Sequence, residues 1–130
     1  MATSKIPMIN GNKILWTGSF YMSELHEANL SEPISKQRNG IVLVWSAYTN
    51  GSPQNYDFVY HYVPKYHISI GANQGVDFWL STPNVVGQKY LYISDSKIKG
   101  YTANDETRTA TGTNISMKND YWVLRAVIGV

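Results

Sequence analysis

The run Ile41-Val42-Leu43-Val44-Trp45-Ser46-Ala47-Tyr48, opened by Asn39-Gly40, decides the fold. It is apolar on both parities and rich in β-branched side chains, which pack well on a pleated surface. It reads as a strand covered on both sides. Thr49-Asn50-Gly51-Ser52-Pro53 follows it, where Asn and Gly tolerate positive φ and Pro cannot donate to a ladder, so the chain reverses there.

The same period of two extends outward from this strand. Upstream, Ile14, Trp16, Phe20 and Met22 share one parity while Thr17, Ser19 and Tyr21 take the other, the pattern of a half-buried strand. Downstream, Tyr56-Asp57-Phe58-Val59-Tyr60-His61-Tyr62-Val63 has an aromatic residue at every even position and is closed by Pro64. Further strands are expected over Lys65–Ile70, Val76–Leu80, Lys89–Ile93, Lys97–Tyr101 and Tyr121–Val130, with turns at Asn73-Gln74-Gly75 and a loop bounded by Pro83-Asn84 and Gly87. Thr102 to Asn119 is rich in Thr and Asn and nearly free of large apolar side chains, so it reads as a long loop or loosely paired hairpin that adds little core. Met22–Leu30 tolerates a turn of helix but lacks an apolar stripe. Some seven or eight strands at short intervals predict an all-β fold, an antiparallel β-sandwich or Greek-key barrel. One domain over 1–130 is expected, with 1–12 as a flexible N-terminal arm.

A chain of 130 residues suits one core. Without cysteine it has no disulfide scaffold, thiolate metal site or cysteine nucleophile. Eleven Lys and Arg against nine Asp and Glu leave a net charge of +2, and the cations are scattered, so no polyanion stripe and no nucleic-acid partner are expected. No segment approaches the roughly 18 apolar residues of a membrane helix. The N-terminus lacks the pattern of a secretory signal, so synthesis in a cytoplasm is expected.

Catalytic and metal motifs fail on their residues. His26-Glu27 begins like a zincin helix, but Leu30 stands where the second ligand belongs. His61 and His67 have Pro64 between them and no third ligand in reach. Asp95–Gly100 has the first and sixth positions of a calcium loop but Lys at both oxygen-ligand positions between. No metal and no cofactor are expected. Glu24, Glu27, Glu32, Asp57 and Asp77 are the acids from which a glycosidase pair would have to come, and the first three fall in a surface loop. The expectation is a non-enzyme, with a carbohydrate-active enzyme as the alternative.

The aromatics point to recognition or to packing. Trp16, Trp45, Trp79 and Trp122 lie inside apolar strands and read as core or subunit interface. So many hydroxyls on one strand are hard to satisfy in a dry layer, so Tyr56, Asp57, Tyr60, His61, Tyr62 and Lys65 are the candidate ligand or assembly face. There the phenols stack and donate hydrogen bonds while His61 and Asp57 fix polar groups.

Asn39–Ser46 with Tyr48, Val63-Pro64-Lys65, Tyr92-Ile93-Ser94-Asp95, Ile98-Lys99-Gly100, Gly112-Thr113-Asn114 and Val123–Val130 together resemble minor structural proteins of phages. The likeness is to tail-tip, baseplate and receptor-binding proteins of long-tailed phages that infect Gram-positive bacteria. It covers the chain from about Leu15 onward and rests on no catalytic signature. The resemblance implies a β-sandwich similar to the shoulder or head domains of lactococcal phage receptor-binding proteins, commonly trimeric, with saccharide binding in some members. It implies a virion location in the tail, and as partners identical subunits (a trimer among the forms), other tail or baseplate proteins and host cell-wall saccharide. The chain has no collagen-like, coiled-coil or β-helical stalk, so a purely structural adaptor without ligand stands beside host attachment.

Overall fold

A computed structural model describes residues 6–130. Its strands in chain order are β1 (Met8–Ile9), β2 (Asn12–Phe20), β3 (Glu27–Asn29), β4 (Gly40–Thr49), β5 (Ser52–Pro53), β6 (Val59–Pro64), β7 (Gln74–Ser81), β8 (Val86–Ile93), β9 (Lys97–Lys99), β10 (Thr107–Thr109), β11 (Ser116–Lys118) and β12 (Trp122–Gly129). Apart from 3-10 turns, the helix among the described residues is the five-residue α1 (His67–Gly71). One antiparallel sheet runs β1-β2-β12-β4, with β5 and β6 both pairing β4, and a second runs β3-β9-β8-β7. β10 and β11 form a separate hairpin.

The two sheets face each other across one apolar cluster, so the protein is an all-β sandwich. The first sheet contributes Leu15, Ile41, Leu43, Trp45, Val63, Trp122, Leu124 and Val127, and the second Ala28, Phe78, Leu80, Leu91, Ile93 and Ile98. Met22 and Ile34 fill the layer from the connections. Each large side chain buried there stabilises the fold by roughly 1.5–3 kcal/mol. Trp122 fits because Gly87 stands opposite it; a Cβ at Gly87 would come within 2.7 Å of the indole. Gly87 is thus a strand residue of the core layer and not a loop boundary.

Turn chemistry sets the register. Asn10 and Gly11 (φ 48° and 81°) join β1 to β2, and Asn50 and Gly51 (φ 54° and 77°) join β4 to β5. Two successive positive φ values make the turn whose twist matches a hairpin. Of the arm expected over 1–12, residues 1–5 lie outside the described residues, while Met8 and Ile9 pair with Lys13 and Asn12.

Four local readings change. β4 alternates, with Ile41, Leu43 and Trp45 fully buried but Val42 and Val44 only half-buried, so one of its faces is not covered. In β2 the buried residue is Leu15, of the opposite parity to Ile14, because the pairing with β12 shifts register beside it. Lys65–Ile70 is not a strand: after Pro64 the chain turns into α1, with Ile68 and Ser69 N–H donating back to the carbonyls of Lys65 and Tyr66. Trp79 lies outside the core, 55% exposed, since Phe78 and Leu80 take the inward parity of β7. Trp45 and Trp122 are fully buried, and Trp16 packs half-buried against the cluster.

Candidate functional site

The six residues of the aromatic strand do not converge. β6 begins only at Val59, because Asp57 takes a positive φ of 56° and turns the chain. The Asp57 carboxylate accepts the Tyr121 hydroxyl at 2.6 Å, and this bond, helped by burial, holds the Tyr121 phenol up at about 12. Tyr56 exchanges a hydrogen bond with Thr49 Oγ1 at 3.0 Å. His61 points into the sandwich, its ring 4.9 Å from Phe78 and 6.4 Å from Trp45. There Nε2 donates to the Trp79 carbonyl at 2.8 Å, and Nδ1 is buried without a partner. Burial lowers the His61 pKa, with the Trp79 bond opposing it.

Tyr60 and Tyr62 emerge on the other side of β6, 62% and 56% exposed. Tyr60 stacks on Phe58 at 6.2 Å, and the Tyr62 hydroxyl donates to the Asn39 carbonyl at 2.8 Å. Lys65 is exposed just past the strand, its backbone N–H donating to Asn39 as well. The strand therefore presents phenols outward and imidazole inward, as period two requires. Strand pairing extends the outward side into two rows, Tyr62–Val42–Ile128–Ile14 and Tyr60–Val44–Ala126–Thr17, across β6, β4, β12 and β2.

A concave site lies elsewhere, on the outer side of the second sheet. Asp77 of β7 and Gln88, Tyr90 and Tyr92 of β8 line a groove of about 310 Å³, walled by Tyr101, Ala103, Asn104, Arg108 and Asn119. The rings of Tyr90, Tyr92 and Tyr101 meet edge to face, with centroids 5.1 to 6.4 Å apart. Gly75 makes room for this cluster, since a Cβ there would fall inside the Tyr90 phenol. Among the described residues the three phenol hydroxyls and the Arg108 guanidinium have no hydrogen-bonding partner, and Asp77 meets only the Gln88 amide at 3.3 Å. Flat rings beside free donors and one carboxylate suit a polyhydroxylated ligand, which offers apolar C–H faces and hydroxyls together.

The wall is held by three buried polar side chains. β8 pairs β7 along its whole length but β9 only at Tyr92 and Ile93, leaving the rest of that edge open. Asn104 closes it as a strand would: its Oδ1 accepts the Tyr90 N–H at 2.9 Å and its Nδ2 donates to the Tyr90 carbonyl at 2.8 Å. Nδ2 also donates to the carbonyl of Met22, a residue held at φ 61°. Asn119 accepts the Gln88 N–H at 2.7 Å and donates to the Ala103 carbonyl at 2.8 Å. On the inner side, fully buried Lys89 donates to the carbonyls of Tyr21, Asn104 and Trp122 at 2.8, 2.8 and 2.9 Å. Its ammonium also lies 5.5 Å and 5.6 Å from the ring centres of Tyr21 and Trp45. Burial pushes the Lys89 pKa well down, against the pull of Asp105 and Asp120.

The candidate acids are dispersed. Glu32 pairs with Lys13 at 2.9 Å and Glu27 with Lys97 at 3.0 Å, Asp57 serves Tyr121, Glu24 is exposed, and Asp77 alone reaches the groove. Among the described residues no cluster of three or more His, Asp or Glu is arranged to hold a metal. Sequence reasoning missed the groove because Tyr90 and Tyr92 read only as strand residues. The available signal was Gly75, which reads as the end of the Asn73-Gln74-Gly75 turn but lies in β7, paired with Tyr92 and leaving room for Tyr90. No family model matches the chain, and comparison with curated proteins finds no relative.

Proposed function

We propose that this chain is a non-enzymatic structural protein of a phage tail or baseplate that takes part in host-surface attachment, with the tyrosine groove binding cell-wall saccharide. The groove carries the reading: three ring edges and faces with free hydroxyls, beside Arg108 and Asp77, in a walled concavity on a rigid sheet. The phage setting is supported by the sequence resemblance alone. In this reading the protein is made in the host cytoplasm, ends in the virion tail, needs no cofactor, and has identical subunits and other tail proteins as partners.

Incubation with purified host wall polymers tests it. Retention of polymer without release of sugar is expected, and Tyr92→Ala should weaken retention by about tenfold, the value of one lost aromatic contact. Release of sugar would instead establish the carbohydrate-active enzyme. Neither retention nor release would leave the purely structural adaptor, which the two uncharged rows on the outer face of the first sheet favour.

A further inference from the structure

We infer that the outer face of the six-stranded sheet is the interface of a two-fold dimer of this chain. Two complete cross-strand rows span β6, β4, β12 and β2 there: Tyr62, Val42, Ile128 and Ile14 in one, and Tyr60, Val44, Ala126 and Thr17 in the other. None of the eight side chains carries a charge. Arg125 borders the rows at the register shift between Leu124 and Ala126. Its guanidinium is turned back onto Ser46 Oγ, the Gln54 carbonyl and Asn55 Oδ1 at 2.8, 3.0 and 3.2 Å. A soluble sheet face usually alternates to polar outside, so an uncharged run across four strands is the composition of an interface centre.

The occupant follows from charge and shape. A charged partner would lose hydration against this face with nothing to pair it, so the partner surface must also be uncharged, and the chain itself supplies one. The face is also graded. Its tall side is the edge of long phenols, Tyr60 and Tyr62 on β6, and its low side the shorter side chains of Ile14 and Thr17 on β2. A two-fold axis along the strands, between β4 and β12, sets the tall side of one copy over the low side of the other. The Tyr60 hydroxyl, without a partner of its own among the described residues, then lies near Thr17 of the second copy. Sheets packed this way sit about 10 Å apart. The tyrosine groove, on the opposite side of the sandwich, stays uncovered, so the dimer is independent of what the groove binds.

Sedimentation of the full chain over micromolar to millimolar concentration is the first test. A monomer–dimer equilibrium is expected, with Tyr60→Glu/Tyr62→Lys raising its dissociation constant at least about a hundredfold. These residues are exposed, so the variant should keep its far-ultraviolet circular dichroism. The absence of cysteine allows a second test that does not depend on that variant folding. In Ile14→Cys/Tyr62→Cys the two thiols of one chain stand three strand spacings apart, about 14 Å, whereas in the dimer each faces its counterpart on the second copy across the sheet spacing of about 10 Å with both side chains pointing inward. That gap is too wide for a disulfide but suits a short bis-maleimide, which should therefore give a covalent dimer, and Leu25→Cys/Ile70→Cys, at exposed positions off this face, should not. A wild-type monomer throughout, a trimer or larger ring, a dimer that survives Tyr60→Glu/Tyr62→Lys, or a failure of the Ile14–Tyr62 pair to cross-link each overturns the proposal.

Discussion

On the outer side of the second sheet, the Thr102–Asn119 segment walls a groove by lending side-chain amides to the open edge of β8. On the outer side of the first sheet, two uncharged rows stand with no segment of the described chain across them. Both sides carry tyrosines, but they are built by different physics. The groove depends on a few buried polar groups whose alternatives to being satisfied are costly. The bare face depends on area, spread over many small contributions. Substitutions should therefore act on stability at the groove and on association at the bare face.

The largest effect is expected at Lys89. Replacing it by Met keeps the volume but withdraws the donor shared by the carbonyls of Tyr21, Asn104 and Trp122. Leaving buried carbonyls unpaired should cost about 3–5 kcal/mol in urea unfolding, with the Thr102–Asp105 segment losing hydrogen-exchange protection first. A loss below about 1 kcal/mol would mean that the three carbonyls are satisfied without the amine, and the contrast between the two faces would weaken.

Asn104→Ala should come next, at about 2 kcal/mol, because it strips three hydrogen bonds but leaves Lys89 in place. Polymer retention should fall with it, since Tyr101 and Arg108 lose the wall that positions them. Loss of stability with full retention would show that the groove does not need this wall.

What the sequence made legible follows the same division. The period of two and the turn residues carried the sandwich, because strand burial and hairpin geometry are local in sequence. Trp45 and Trp122 could be assigned to core from their apolar strands. The polar wall could not, since Asn104 and Asn119 look like any loop asparagines until β8 is seen to lack a neighbour. Lys89 was equally hidden: a lysine between Gln88 and Tyr90 reads as solvent-facing, and only the carbonyls that converge on it explain its burial. The aromatic strand was visible as a strand, but its six candidates were grouped by nearness in sequence. Strand alternation sends His61 and Tyr60 to opposite faces, and the positive φ of Asp57 turns its carboxylate to Tyr121.

The smallest effect is a pH dependence at the seam between the two regions. His61 reaches from β6, the edge of the bare face, to the Trp79 carbonyl of β7, the strand that carries Asp77 into the groove. Its folded pKa lies below that of the unfolded chain, about 6.5, because burial disfavours the imidazolium. As pH falls through that value, the unfolded state takes up the proton first, so stability present above it is lost progressively toward the lower folded pKa. His26, also lowered by burial, acts in the same direction, whereas Glu32, lowered by its Lys13 hydrogen bond, acts only in the acidic carboxylate range. His61→Gln keeps a donor for Trp79 and removes the titration, so it should flatten part of the fall in melting temperature between pH 7.5 and 5.5 and leave the His26 part. At pH 5.5 amide protection factors in wild type should fall over Val59–Val63 before they fall in β8. An unchanged pH profile in His61→Gln, or protection that falls first in β8, would place the acid-labile joint on the groove side instead.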